Sequence, residues 1–479
     1  MRLAIVSFVL PFVAAWPASV TAREEDWSVQ TSEHVYSQTE LSQFPQSRVI
    51  TVFPYIQAKK ERIRLNQWFK WADFQPTGFY LNPESYLQVS VSGLRDAGPR
   101  VELLVGTPGL VDPENLNKNM ESGLQRRPIQ NGNNFIKTNK GGIIYVRYSL
   151  MHDQDIAPPV NITLGGGDAA QPFPFFQQGK TTNAQWRDML RVTKVPFAEL
   201  AGERVIVTGL AATAGVYAER GQDQNGLLDT YADIVTAQDL ISGIHADASD
   251  WRDKPSPLRP MIVQSNKNDN PNAWHYRAAI TAELYDDIWW QPKLRRSWIV
   301  WHELGHHRQH VDTFSWNAVQ EVTVNIYALA ASRTFPTVPG EVPEHGTVEE
   351  WDNARKYLGQ TEAAKLFDDA DHFTMLAMFE QLRVVFGGDS FYHRLHVRSR
   401  AASKLVTNAD KKHFFMTQAA EIATVDLTSY FTKWGLKPDE RTVNEMSKQP
   451  KPAEDYTTRP IWGGAPAVAA KDVAIFSEW

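Results

Sequence analysis

Two histidines and a glutamate stand close together in a spacing that suits metal chemistry. His302 and His306 are four residues apart, and Glu303 directly follows the first histidine. On a helix, residues four apart lie above one another on the same face, so both imidazoles can reach one ion. Glu303 is turned by about 100° from that pair, which suits a base that reaches a water on the ion better than it suits a ligand. The segment therefore predicts two metal ligands and one general base.

Glu321 is the predicted third ligand. It lies 15 residues after His306, at the start of an apolar helical pattern over residues 321–329. A turn at residues 313–317 would let that helix pack antiparallel on the first one, with Glu321 facing both histidines. The alternative for Glu321 is a solvated carboxylate in a first helical turn, where the helix dipole favours it. Asn325, one turn later, is a candidate to orient Glu321.

Two other residues are candidate ligands. Asp312 occupies the position that one zinc-peptidase branch gives to its third histidine, but Gln309 replaces the glycine that makes the sharp turn there. It stays the second choice. His310 continues the histidine stripe by one further turn and overshoots a single ion by about 6 Å, so we expect it at the surface or behind the ligands.

Zinc is the ion that this ligand set predicts, because imidazole and carboxylate donors are typical of catalytic zinc. Zinc lowers the pKa of its water to about 7, and Glu303 would take the proton as that water attacks a peptide carbonyl. The competing interpretation is a chance pentapeptide on an ordinary amphipathic helix. The bulky apolar residues 298–301 argue against it, since they predict a buried helix whose charged pair needs a compensating ion.

Three regions must position these residues, and the predicted fold class is α+β. Residues 23–164 contain strand patterns, as where Leu87, Val89 and Val91 alternate with polar residues, and predict an N-terminal β-sandwich. Residues 165–350 mix short strands with helices and would form the zincin-type (gluzincin) catalytic domain. Residues 351–479 are predicted to form a helical C-terminal subdomain and tail.

Composition limits the function classes. The chain has 479 residues, 42% of them apolar and 22% charged, with a net charge of −6 and no cysteine. Disulfides, thiolate metal sites and cysteine nucleophiles are thereby excluded, and the lack of a long basic run argues against nucleic acid as a partner. Residues 1–22 resemble a signal peptide cleaved after Ala22, which predicts a secreted or periplasmic protein without a later membrane segment.

The site residues resemble the pattern of the enhancin-like peptidases, a gluzincin family that includes mucin-degrading enzymes. The pattern His-Glu-x-Gly-His with a later glutamine fits His302, Glu303, Gly305, His306 and Gln309, and the family's later glutamate falls on Glu321. Weaker echoes extend the resemblance over about residues 68–435. It implies a sandwich, a zincin domain and a helical part, and cleavage of O-glycosylated, mucin-like proteins. Gly388 departs from it, since an aromatic residue is expected there.

Several alternatives stay open on sequence alone. One is a glycan-binding protein that keeps the zincin scaffold without catalysis, although such a protein has no need of Glu303. Another is a zinc aminopeptidase, which would need an acidic cluster for the substrate amine. Trp274 and the Trp289–Trp290 pair are expected to pack in the core rather than on sugar rings. No spacing argument selects an oxyanion-stabilising residue from the four candidates Tyr327, His372, Tyr392 and His393.

Overall fold

The architecture of the chain was obtained from a computed structural model, which describes residues 36–95, 98–150, 156–335 and 345–461. The predicted signal peptide lies outside the described residues. The strands are β1 Val49–Val52, β2 Gln75–Leu81, β3 Tyr86–Ser92, β4 Arg100–Gly106, β5 Val111–Asp112, β6 Asn115–Asn119, β7 Gln125–Ile129, β8 Gly132–Lys137, β9 Gly142–Ser149, β10 Val160–Leu164, β11 Ala170–Pro172, β12 Phe175–Gln177, β13 Phe197–Ala201, β14 Ile206–Leu210, β15 Met261–Gln264, β16 Asn272–Trp274 and β17 Arg277–Ile280.

Most of the helices lie after residue 180. They are α1 Gln38–Leu41, α2 Ala58–Arg64, α3 Asn183–Val192, α4 Ala211–Glu219, α5 Gln224–Ile241, α6 Tyr285–Trp289, α7 Gln291–Leu294, α8 Trp298–His306, α9 Gln320–Thr323, α10 Asn325–Thr334, α11 Val348–Leu358, α12 His372–Val385, α13 Asp389–Ala401, α14 Asn408–Ala423, α15 Thr428–Lys433 and α16 Glu440–Met446. Within the described residues, no helix combines the length and the apolarity that crossing a membrane requires.

Two antiparallel sheets face each other in the N-terminal half. One has the strand order β1-β10-β3-β8 and the other β11-β2-β9-β4-β7. Their inward side chains share one apolar cluster, to which β3 contributes Leu87, Val89 and Val91 in the alternation that the sequence predicts. Strand β11 pairs with β2 although it follows residue 164, so this two-sheet region continues past that position. The domain boundaries at 164/165 and 350/351 stay predictions.

The five-stranded sheet is buried on both faces. Ile144 and Val146 of β9 point into the cluster between the two facing sheets, whereas Ile143 and Tyr145 join a second cluster on the opposite side. That second cluster includes Met261 of β15 and its neighbours in a six-stranded mixed sheet of order β12-β13-β14-β15-β17-β16. Burial on both faces explains why residues 143–146 are continuously apolar instead of alternating.

Helices cover the other face of the six-stranded sheet. Ile262 of β15 and Ile280 of β17 share the largest apolar cluster with α5, α8, α10 and the helices that follow residue 345. Helix α8 lies directly against the last two strands of the sheet, β17 and β16, and α10 packs on it from the far side. The fold is mixed α/β, and α8 sits where the sheet edge and the helical layer meet.

Candidate metal site

Helix α8 carries both histidines of the motif. Its first turn is capped by the Ser297 hydroxyl, which accepts a hydrogen bond from the backbone amide of Val300 at 3.2 Å. The helix is apolar on most sides and buried, so only a narrow face is left for polar side chains. His302 and His306 lie on that face, with ring centroids 4.7 Å apart, as residues one helical turn apart should.

Glu321 meets the two histidines from the neighbouring helix α9. Its Oε2 atom lies 3.2 Å from His302 Nε2 and 3.4 Å from His306 Nε2. The three side chains present ligand atoms that all fall within 4.8 Å of one another. Partial burial acts to raise the pKa of Glu321, but its contacts with the two imidazoles outweigh that effect and hold the pKa well below its usual range. The carboxylate is therefore ionised and available as a donor.

Gly305 lets the two helices approach closely enough for this contact. A Cβ atom at this position would lie 2.9 Å from the carbonyl oxygen of Val324 and 3.3 Å from Tyr327 Cβ. Any side chain would therefore push the α9–α10 segment outward and carry Glu321 away from the histidines. Close packing of the two helices thus explains why a glycine stands between Glu303 and His306.

Two amide side chains fix the tautomers of both imidazoles. Asn325 Oδ1 lies 2.7 Å from His302 Nδ1, and Gln309 Oε1 lies 2.8 Å from His306 Nδ1. An amide oxygen can only accept, so each Nδ1 carries the hydrogen and each Nε2 keeps a lone pair that faces Glu321. The side-chain amide of Asn325 donates to the backbone carbonyl oxygen of Glu321 at 3.0 Å. Asn325 therefore orients the ring of His302 rather than the Glu321 carboxylate.

Glu303 is buried beside this cluster, and its Oε2 atom has no hydrogen-bond partner among the described residues. Burial raises the pKa of Glu303 to about 7, while the nearby His302 acts to lower it and Glu321 to raise it. An unpaired buried carboxylate oxygen costs about 1–3 kcal/mol. The arrangement is unfavourable unless something polar binds there, which is what a reacting site provides.

The remaining candidates lie elsewhere. Asp312 pairs with Lys404 at 2.7 Å instead of joining the histidines. Of the two positions expected for His310, at the surface or behind the ligands, the surface position is wrong, because the side chain is buried and its Nδ1 lies 2.6 Å from the Ser399 hydroxyl. Among the oxyanion candidates, Tyr327 and Tyr392 donate their hydroxyls to backbone carbonyls in the core. His372 is exposed at the start of α12, and the ring of His393 lies against His245.

Sequence reasoning missed two neighbours of the ligands. The contact of Gln309 with His306 was not predicted, although a position three residues after His306 is the helical spacing at which side chains meet, so the signal was present. Trp68 packs edge-on against His306 with ring centroids 5.6 Å apart. No local pattern links two residues so far apart in the chain.

Known proteins with similar sequences are longer than this chain, and the match takes in only part of their length. The chain is 23% identical over 326 residues to rat (Rattus norvegicus) TRPM8 channel-associated factor 3, a match that takes in 66% of this chain and 33% of that protein. The chain thus spans about a third of the length of this curated relative.

Solved structures with the same fold cover most of the chain. A mutant of a functionally unknown conserved protein from Bacillus anthracis is 25% identical with a TM-score of 0.73, covering 85% of this chain and 80% of its own. A second structure is the M60 catalytic domain of ZmpC from Clostridium perfringens, solved with the sialyl T antigen. It is 18% identical with a TM-score of 0.68, and the match covers 85% of this chain and 81% of that chain.

Family profiles match the two halves of the described fold. The profile for the N-terminal domain of M60-like peptidases matches residues 56–163, which contain most of the two facing sheets. A second profile matches residues 169–435, more than half of the chain, and includes helix α8 and Glu321. The chain belongs to the Peptidase M60 family, enhancin and enhancin-like.

Proposed function

We propose that this chain is a secreted zinc-dependent endopeptidase that hydrolyses peptide bonds in O-glycosylated, mucin-like proteins. The observation that carries the proposal is the convergence of His302, His306 and Glu321 beside a buried carboxylate, Glu303, that has an unpartnered oxygen. The gluzincin assignment of the catalytic region and export through residues 1–22 are parts of the same proposal.

The donor set fits a zinc ion. Two imidazoles with free Nε2 lone pairs and one carboxylate are the three protein ligands of a common type of catalytic zinc site, in which the fourth position stays open. The tautomers support this fit, since the amide oxygens of Asn325 and Gln309 would hold both rings with Nε2 towards the ion. Zinc, when bound there, supplies Lewis-acid polarisation of the scissile carbonyl and of a water molecule.

Glu303 is the proposed general base. Its Oε2 atom would take a proton from the attacking water and later give that proton to the leaving amine nitrogen. Burial keeps bulk water away from this carboxylate, and no protein donor among the described residues binds its Oε2 atom. Tyr327 and Tyr392 are not proposed as oxyanion stabilisers, because both hydroxyls already bind core carbonyls.

The sheet edge beside α8 offers a place for an extended substrate. Strand β16 is the outermost strand of the six-stranded sheet and is antiparallel to β17. No other strand of the described residues pairs with its free side, and an extended peptide can add to such an edge as a further strand. Since α8 packs against β16, a peptide bound there would pass close to the histidines.

A glycosylated substrate is supported by two independent points. ZmpC, which shares this fold, was solved with the sialyl T antigen, a glycan. In this chain, Trp274 on β16 is 59% exposed, so the expectation that it packs in the core is wrong, whereas Trp289 is buried as expected. An exposed aromatic face on a strand that packs against α8 suits contact with a sugar ring.

The test is digestion of a mucin-type glycoprotein before and after removal of its O-glycans. Wild-type protein loaded with zinc is compared with Glu303→Ala, and fragments are measured by gel electrophoresis and mass spectrometry. We expect internal fragments from the wild type only, and only from the glycosylated substrate. Equal fragmentation by Glu303→Ala would refute the base assignment. Binding without cleavage by the wild type would indicate the glycan-binding alternative, and stepwise loss of N-terminal residues the aminopeptidase.

The third ligand is tested separately by metal content. Glu321→Ala should lose most of its zinc in dialysed samples measured by mass spectrometry. Asp312→Ala is the matched control, because it removes an acidic side chain that pairs with Lys404 instead of facing the histidines. Unchanged zinc in Glu321→Ala together with zinc loss in Asp312→Ala would reverse the assignment.

A further inference from the structure

A cavity of about 720 Å³ opens between the five-stranded sheet and the β16–β17 hairpin, and we call it the junction cavity. Arg100, Glu102 and Arg147 line it from the sheet, and His275 and Tyr276 line it from the hairpin. A third wall comes from residues 57–59, 70, 71 and 73 of the segment that joins β1 to β2. The junction cavity contains none of the residues assigned to the metal site.

The junction cavity lies close to the metal site. Trp68 packs against the ring of His306, and Lys70, two residues later, lines the cavity. Two residues of extended chain span about 7 Å. The buried His307, which directly follows the ligand His306, holds this segment in place through its Nδ1 atom, 3.1 Å from the carbonyl oxygen of Lys70. A substrate that reaches the histidines therefore has its flanking groups near the junction cavity.

The lining of the junction cavity carries an excess of three positive charges. Its two carboxylates are already paired, since Asp73 lies 2.7 Å from Arg147 and Glu102 lies 2.7 Å from Arg126. Three further cations, Lys59, Lys70 and Arg100, are exposed on the rim of the cavity. No ion pair of these three side chains is found within 4.0 Å in the described part of the chain. They are free to bind an anionic group.

An aromatic surface adjoins these cations. The ring of His275 stacks on that of Trp274 with centroids 5.0 Å apart and an interplanar angle of 15°. His275 has a φ of 54°, a left-handed conformation that few residues other than glycine adopt and that fits a tight turn. Burial and the charges of Lys70 and Arg277 lower the pKa of His275, so the ring is neutral near pH 7 and presents a flat face.

We propose that the junction cavity binds an acidic sugar of the substrate's glycan, with the sugar carboxylate held by Lys59, Lys70 and Arg100 and the sugar ring against the Trp274–His275 pair. The proposal rests on the proposed function in taking the substrate to be a glycoprotein. A cavity of this size admits one or two sugar rings, and the paired carboxylates on its floor can accept hydrogen bonds from hydroxyl groups. An acidic peptide side chain would need the cations but not the exposed aromatic face.

The first experiment compares two glycopeptides that differ only in the acidic sugar. One carries a sialylated galactosyl-GalNAc disaccharide and the other the same disaccharide without sialic acid. The measured quantity is the ratio of their kcat/KM values. We expect the wild type to favour the acidic substrate and the triple variant Lys59→Gln/Lys70→Gln/Arg100→Gln to lose that preference about tenfold, with the preference also falling as salt is added.

A triple variant with the same loss of charge serves as the control. Lys180→Gln/Lys437→Gln/Lys448→Gln removes three exposed cations that do not line the junction cavity, so its ratio should equal that of the wild type. A preference that persists in the first triple variant would overturn the proposal. A third peptide pair, with glutamate or glutamine beside a neutral glycan, separates the source of the anion. If the first triple variant changes discrimination only in that pair, the cavity binds peptide carboxylates and the sugar proposal is wrong.

A binding measurement separates failure of this proposal from failure of the proposed peptidase activity. 3′-Sialyllactose and lactose are titrated into the wild type by NMR, which requires no cleavage. We expect sialyllactose to bind at least tenfold more tightly and the first triple variant to lose this difference. Trp274→Ala should weaken sialyllactose binding severalfold, whereas Trp251→Ala, which removes a tryptophan of matched exposure (58%) elsewhere, should not. Equal affinities for both sugars in the wild type would refute the acidic-sugar site whether or not the protein is a peptidase.

Discussion

Replacing Gly305 by alanine tests whether helix proximity sets the metal site. The added methyl group would lie 2.9 Å from Val324 O and 3.1 Å from Val324 Cγ2, both closer than ordinary contact. Relief requires the α9–α10 segment to shift by a few tenths of an ångström, and such overpacking costs about 1–3 kcal/mol. Alanine in place of a helical glycine returns about 0.5–1 kcal/mol, so the net destabilisation should be about 1 kcal/mol.

The same shift should weaken metal binding. Glu321 lies three residues before Val324, the residue that the added methyl group would displace. Its Oε2 atom is only 3.2–3.4 Å from the two imidazoles. Losing about 1.4 kcal/mol of ligand interaction corresponds to a tenfold weaker affinity. Zinc affinity is measured by competition with a chelating dye, and stability by urea unfolding of the metal-free protein.

Gly215→Ala provides the matched control for this prediction. Gly215 lies inside helix α4 and has nothing within 4 Å of its virtual Cβ. We expect it to gain about 0.5–1 kcal/mol without any change in zinc affinity. If Gly305→Ala behaves like this control in both assays, close helix packing does not position Glu321.

Three further predictions concern one residue beside the ligands and two buried carboxylates. Asn325→Ala should weaken zinc binding about 10- to 100-fold, because the tautomer of His302 is no longer fixed, and an unchanged affinity would contradict that role. Asp239→Ala should destabilise the protein in urea by about 3–5 kcal/mol, because it leaves the fully buried Arg308 without its carboxylate partner, and a loss below 1 kcal/mol would contradict this. Burial raises the pKa of Glu199 from 4.5 to about 7, so its neutral form favours the folded state, and this contribution is lost as pH rises from 4.5 through 7. Glu199→Gln should therefore gain about 3 kcal/mol relative to the wild type between pH 4.5 and pH 8 in urea unfolding, and parallel pH profiles would exclude this effect.

Local spacing was sufficient to predict part of the site. His302 and His306 face the same way because both belong to one helix, and a helix has a fixed period. Glu321 could be predicted only with a guess about how two helices pack, together with the resemblance to a family. The strand that contains Leu87, Val89 and Val91 was likewise readable, because one face of it is buried and the other is not.

Other features were beyond the reach of local patterns. Tryptophan is a residue type that usually packs in the core, but Trp274 is exposed because β16 is the outermost strand of its sheet. Only the order of the strands in the sheet decides that position. The burial of His310 depends on Ser399, 89 residues away. The contact between Trp68 and His306 joins the segment before β2 to the end of α8. Such pairings follow from tertiary packing of distant segments, and a period in the sequence carries no information about them.

The five-stranded sheet with two buried faces has a consequence for anyone who shortens this protein. Cutting the chain after residue 164 would separate β11 from its partner β2 and strip the six-stranded sheet of the surface that Ile143 and Tyr145 cover. Each fragment would then expose a broad apolar surface to solvent and would be prone to aggregate. A shortened form should therefore keep the two facing sheets and the six-stranded sheet together in one piece.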